Sequence, residues 1–138
     1  MKPTMDARTK ARILIADDNA PIRGIIARLL SGDEGSFDIV TAGDGEETLA
    51  AAERERPDLI LLDRNMPGAE GWSVLRALRA ADATQSVPII VMSGQGGLDQ
   101  RLDGFESGAD DFVAKPFCFP ELKARVARLL RRAAPAAR

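Results

Sequence analysis

Four short apolar runs in this chain each end in a side chain able to do chemistry. Ile13-Leu14-Ile15-Ala16 runs into Asp17 and Asp18, and Leu59-Ile60-Leu61-Leu62 runs into Asp63. Pro88-Ile89-Ile90-Val91-Met92 runs into Ser93, and Phe112-Val113-Ala114 into Lys115 and Pro116. Runs of this length between turn-forming residues fit strands buried on both faces of a parallel sheet. Ligands of such sheets bind outside the carboxyl ends of the strands. The pattern therefore predicts one sheet edge carrying Asp17, Asp18, Asp63, Ser93 and Lys115.

Helical patterns separate the runs. Asn19 is a good N-cap and Pro21 suits a first turn, ahead of Ile22, Ile25, Ile26 and Leu29 at helical spacing; Gly32 closes that segment. Phe37 to Ala42 reads as a second strand. Asp44 caps a helix over about Glu46 to Arg56, with Leu49 and Ala50 to Ala52 as its apolar face. The third strand is expected over about Asp58 to Leu62. A loop at Met66-Pro67-Gly68 leads to a helix over about Gly71 to Ala81, with Trp72, Leu75 and Leu78 inward. Val87 to Met92 reads as the fourth strand. Leu98, Leu102 and Phe105 share a face of a fourth helix that Gly108 ends. After a fifth strand, Asp111 to Ala114, Pro120 opens a last helix bearing Leu122, Val126, Leu129 and Leu130. Alternating strand and helix units imply a parallel sheet covered by helices on both faces, with right-handed crossovers.

Composition narrows the chemistry. A chain of 138 residues supports one domain. Its net charge of -2 argues against nucleic acid as a direct ligand. No run of about 18 apolar residues exists, so no membrane span is expected. The first eleven residues lack the apolar core of a signal peptide and read as an N-terminal extension. A single cysteine, Cys118, excludes an internal disulfide, and a cytoplasmic location is expected. Histidine is absent, which removes Ser-His-Asp and Cys-His catalysis and imidazole-bound metal.

Three carboxylates gathered at one edge are unfavourable alone. Two of them about 5 Å apart repel by roughly 3 kcal/mol at an effective dielectric near ~20. Lys115 offsets one charge, and a divalent cation would offset the rest. An all-oxygen donor set suits Mg²⁺ or Mn²⁺, with Ca²⁺ as the alternative; sparse ligands favour Mg²⁺, which keeps several waters. A carboxylate beside such a cation and a lysine can attack a phosphoryl group and form an acyl phosphate. The cation, Lys115 and the Ser93 hydroxyl would each take one phosphoryl oxygen.

These residues resemble the receiver domain of bacterial two-component response regulators. The resemblance spans about residues 12 to 132. It rests on Ile-Leu-Ile-Ala-Asp-Asp at 13–18, Asp-Leu-Ile-Leu-Leu-Asp at 58–63, Met-Pro-Gly at 66–68, Gly71, Pro-Ile-Ile-Val-Met-Ser at 88–93, and Gly-Ala-Asp-Asp-Phe-Val-Ala-Lys-Pro-Phe at 108–117. It implies a flavodoxin-like, doubly wound α/β fold, with five parallel strands in the order 2-1-3-4-5 and five helices. It implies a phosphorylation-activated signalling switch rather than an enzyme acting on other substrates. Asp63 would be the phosphoacceptor, fed by a histidine kinase or histidine phosphotransfer protein. Asp17, Asp18, Asp63 and the backbone carbonyl of Asn65 would hold Mg²⁺ or Mn²⁺. Ser93 and Phe112 would be the switch residues, Lys115 would pair with the phosphoryl group, and the Lys115–Pro116 bond would be cis. Asn65 and Gln95 would influence the hydrolytic water. Residues 133–138 would be a tail or the start of a linker.

Three positions depart from the common pattern. Phe112 stands where many members carry tyrosine, and this chain has no tyrosine. Arg64 follows the phosphoacceptor where small or apolar residues are frequent, and is expected to point to solvent, to shield the phosphate or to meet a partner. Cys118 takes the place of a better helix cap. Within the family the pattern is nearest to the OmpR-like winged-helix class. That likeness implies a phosphorylation-dependent homodimer joined by Arg101 with Glu121 and Asp111 with Arg125.

Two other functions compete. A Mg²⁺-dependent phosphohydrolase with an aspartyl-phosphate intermediate usually needs an acid two residues after the nucleophile, where Asn65 stands. A flavodoxin-like electron carrier needs a Ser/Thr-rich phosphate loop after the first strand, where Asp17 and Asp18 would repel the flavin phosphate.

Overall fold

The computed structural model describes residues 10–32, 37–64, 66, 72–94 and 98–133, with the backbone alone at 98–101 and 133. The strands are β1 Ala11–Ala16, β2 Phe37–Ala42, β3 Leu59–Asp63, β4 Ile89–Ser93 and β5 Asp111–Ala114. The helices are α1 Ala20–Ser31, α2 Gly45–Glu55, α3 Ser73–Ala80, α4 Leu98–Ser107 and α5 Phe119–Ala133. All strand pairs are parallel, and the sheet order is β2-β1-β3-β4-β5, as expected.

Side-chain alternation along the strands builds two cores. Ile13, Ile15, Leu59, Leu61, Ile90, Met92 and Val113 pack with Ile26 and Leu30 of α1 and with Leu122, Val126 and Leu129 of α5. Leu14, Ala16, Ile60, Leu62, Ile89 and Val91 pack with Ala51 and Ala52 of α2 and with Leu75 and Leu78 of α3. Both faces of the central strands are therefore dry, which explains their unbroken apolar runs.

Local signals set the helix ends. Asn19 Oδ1 accepts from the Ile22 amide at 3.0 Å, and Pro21 lies in the first turn. Asp44 Oδ1 accepts from the Glu47 amide at 2.7 Å. Gly32, at φ 64°, closes α1 where a side chain would be strained. The Lys115–Pro116 bond is cis, as the resemblance implied.

Several boundaries and faces differ from expectation. β3 ends on Asp63 rather than Leu62, because Asp63 pairs in register with Met92. β4 begins at Ile89, beyond Val87 and Pro88. α3 begins at Ser73, with Trp72 as its N-cap. β1 takes in Ala11, which the sequence assigned to the extension, and α5 continues through Ala133. On α1, Ile25 is 56% and Leu29 41% exposed, because Ile26 and Leu30 supply the face toward the sheet. On α2, Leu49 and Ala50 face outward and Thr48 is buried instead. On α4, Leu102 and Phe105 are about half exposed.

Arg79 was not singled out in the sequence, yet it binds three segments together. Its guanidinium donates to the carbonyls of Gly108 at 2.8 Å and Val87 at 2.6 Å, and to Asp110 Oδ2 at 2.6 Å. Asp110 Oδ2 also accepts from the Ile89 amide at 2.8 Å. Gly108 has φ +117°, and a Cβ there would fall 2.6 Å from Arg79 Cγ. Arg79→Ala strands these acceptors and should lower stability by about 1–3 kcal/mol, read as a reduced urea midpoint.

Candidate functional site

Register places the expected residues on one edge. Ala16 pairs with Leu62, so the next residues, Asp17 and Asp63, stand at adjacent strand ends. Asp63 pairs with Met92, and Ser93 pairs with Ala114, which brings Ser93 and Lys115 to the same edge. Asp17 and Asp63 are buried, at 0% and 6% exposure, while Asp18 is exposed. One carboxylate oxygen from each of Asp17, Asp18 and Asp63 lies within 4.8 Å of the others.

Lys115 Nζ donates to Asp17 Oδ2 at 2.8 Å and stands 3.6 Å from Asp63 Oδ1. Asp17 Oδ1 accepts from the Asn19 amide at 2.9 Å, so the residue that caps α1 also orients this carboxylate. Arg23, not anticipated as a site residue, donates to the Asp17 carbonyl at 2.8 Å. The amphipathic pattern of α1 gave no sign of that contact. The Asn65 carbonyl and Gln95 lie outside the described residues.

This donor set fits a hard divalent cation. Three carboxylates converge, all donors are oxygen, and one ammonium leaves the cluster negative. The arrangement can bind such a cation, present a carboxylate to an electrophile, and hold an anion against Lys115 and Ser93.

Residues 13–127 match the response regulator receiver domain family. The chain belongs to that family. It is 46% identical over 126 residues to the transcriptional regulatory protein PrrA of Mycobacterium tuberculosis, covering 90% of this chain and 52% of PrrA. The chain thus spans about half the length of the curated relatives it matches. A response regulator crystal structure from Chloroflexus aurantiacus superposes with a TM-score of 0.82 at 31% identity, covering 89% of this chain and 99% of that one. The receiver domain of a Pseudomonas aeruginosa sensor histidine kinase superposes with a TM-score of 0.79 at 30% identity, covering 88% and 98%; its structure has a magnesium ion coordinated in the active-site cleft.

Phe112 is half-buried and meets Trp72 edge-on at 6.0 Å between centroids, and Phe105 at 4.8 Å. Arg64 does not simply point to solvent: it is half-buried, with Cζ 4.9 Å from the centroid of Trp72. Asp111 is held within the chain. Arg125 donates to both of its oxygens at 2.8 Å, and Arg128 to one at 2.9 Å. Arg125 also bonds to Glu121 at 2.9 Å. These bonds raise the Arg125 pKa, the Asp111 bond most and the Glu121 bond next, so its guanidinium stays charged at every working pH. The Arg101 side chain lies outside the described residues. Among the described residues, no helix is long and apolar enough to cross a membrane.

Asp18 contributes charge to the cluster, while Lys115 lies on Asp17 and Asp63. Without divalent cations, Asp18→Asn should therefore raise the urea midpoint by relieving repulsion. Unfolding curves in EDTA read this directly.

Proposed function

We propose that Asp63 is the phosphoacceptor of this receiver, loaded by a histidine kinase or histidine phosphotransfer protein. The observation that carries the reading is the meeting of Asp63 with Asp17, Asp18 and Lys115 at one sheet edge. An Asp63 carboxylate oxygen attacks phosphorus, the bond from phosphorus to the donor breaks, and the donor leaves with the electron pair. Lys115 balances charge gathering on the phosphoryl oxygens, and the Ser93 hydroxyl donates to one of them. Asp17 keeps Lys115 beside Asp63 throughout. In the reverse phase, water attacks phosphorus, the Asp63 carboxylate leaves, and inorganic phosphate departs. Asp17, Asp18, Asp63 and the Asn65 carbonyl would hold Mg²⁺ or Mn²⁺. When bound, that ion supplies positive charge to an oxygen of the transferring group.

The chain's role is regulatory, and its catalysis is confined to its own aspartate. Its place is the cytoplasm, in a regulator whose remaining half would deliver the output. The domain itself contacts neither DNA nor membrane. The receiver would span about residues 12 to 132, with Ala11 of β1 and Ala133 of α5 added to it, between an N-terminal extension and a C-terminal tail or the start of a linker. Ser93 and Phe112 carry the switch. The α4–β5–α5 surface, with Arg101, Asp111, Glu121 and Arg125, forms a two-fold homodimer on phosphorylation.

Acetyl phosphate with Mg²⁺ should add one phosphoryl mass to the native chain and none to Asp63→Asn, by intact-mass spectrometry. EDTA should abolish the adduct, and Asp18→Ala should weaken Mg²⁺ binding in a titration. An adduct that persists on Asp63→Asn sinks the assignment.

The dimer has a separate test. Glu121 is exposed and bonded within its own helix, so Glu121→Lys should spare the fold. Sedimentation should find the native chain dimeric when phosphorylated and Glu121→Lys monomeric, both carrying the adduct. A native chain that stays monomeric when phosphorylated removes the dimer.

A further inference from the structure

The alternation of β3 separates Asp63 from the residue that follows it. Leu59 and Leu61 pack on the α1–α5 face, so Asp63 belongs to that side. Ile60 and Leu62 pack on the opposite face, so Arg64 belongs there, with Ser93 and Phe112. The ladder holds this register one residue past the strand, since the Arg64 amide donates to the Met92 carbonyl at 3.0 Å. The Arg64 guanidinium lies over Trp72, with Cζ 4.9 Å from the ring centroid.

Trp72 begins a continuous aromatic path. Its ring meets Phe112 edge-on, and Phe112 meets Phe105, which is 47% exposed on α4. Gly104 makes the path possible. A Cβ there would fall 2.2 Å from Phe112 Cζ and 3.0 Å from Trp72 Cη2. A cation next to the phosphoacceptor thus rests on the first ring of a chain of rings that ends at the surface.

We propose that Arg64 is a two-position residue: it stacks on Trp72 while Asp63 is bare and turns to the phosphoryl group when Asp63 is loaded, so loading is felt first at Trp72. The inference rests on Asp63 as the phosphoacceptor. Phosphorylation adds about one negative charge at neutral pH and three strong acceptor oxygens. Arg64 is one residue away, and its planar fork matches phosphoryl geometry better than a lysine would. A hydrogen bond to a charged group typically contributes as much as a cation–π contact or more, so a phosphoryl group can compete with Trp72 for this cation. Arg64 is here a positioning residue, since it acts on the switch region through Trp72.

Trp72 is the chain's single tryptophan, so tryptophan emission reports on its surroundings alone, Arg64 and Phe112 among them, and the Arg64 variants separate the two. The full chain is treated with acetyl phosphate and Mg²⁺, and intact mass and Trp72 emission are read on the same samples. Asp63→Asn in the same Mg²⁺ supplies the unphosphorylated baseline. Native chain should take the adduct and change its emission. Arg64→Leu should take the adduct yet lose most of the change, and Arg64→Lys should recover part of it. Arg64→Gln, which keeps a polar stem without the charge, replaces Arg64→Leu if that variant does not fold. An adduct with no emission change in the native chain overturns the proposal. So does an uncharged variant whose emission responds as the native chain does; both results leave Asp63 as phosphoacceptor. A native chain that takes no adduct overturns the phosphoacceptor reading and this inference together.

Discussion

The bond between Lys115 and Asp17 is the contact on which the rest of the edge depends. Asp17 is wholly buried, and burying a charged side chain is costly unless it is paired. Its partner lies 98 positions away in sequence, at the end of β5, 2.8 Å from it. Drawing these two together requires β3 and β4 between them, which sets Asp63 and Ser93 into the same edge. The strand order reverses at β1, whose neighbours are β2 and β3, and such a reversal opens a crevice at the strand ends. The ion pair thus closes the side of a crevice that the topology opens. It also sets the Lys115 ammonium 3.6 Å from Asp63 Oδ1.

The strands and the edge residues were legible in the sequence because burial on both faces leaves no polar interruption until the edge. Asp17, Asp63, Ser93 and Lys115 were each found at the first polar position after a run, and Asp18 directly after Asp17. Caps were legible too, since Asn19 and Asp44 act within their own turns. Helix faces were less so. α1 carries apolar residues around more than half its girth, and periodicity alone did not say that Ile26 and Leu30 would face the sheet while Ile25 and Leu29 stayed open. Contacts between distant segments left no local trace. Arg79, Arg23 and the stack of Arg64 on Trp72 follow from where helices dock, which spacing along the chain does not record. Asp111 shows the same limit: its charge was visible, but its capture by Arg125 and Arg128 was not.

The surface around α4 and β5 is held differently from the two cores. Arg79 fixes one end of it, through hydrogen bonds to Gly108 and Asp110. The Asp111–Arg125 pair fixes the side toward α5. Between these anchors lie Phe112, Phe105 and Leu102, which are half-buried or exposed.

That contrast bears on why phenylalanine suits position 112. A tyrosine hydroxyl among Trp72, Phe105 and Gly104 would need a partner when turned inward, or lose its hydration. Phenylalanine avoids that cost, and each edge-on ring contact contributes only about 0.5–1.5 kcal/mol beyond burial. The arrangement is therefore weakly held, and its fit depends on the missing Cβ of Gly104. A charge-assisted hydrogen bond at the Asp63 edge is worth a similar ~1.5–3 kcal/mol. Two states of this region need only differ by that amount for one covalent event at Asp63 to exchange them. A more tightly packed cluster would be more stable but would not respond to a signal of that size.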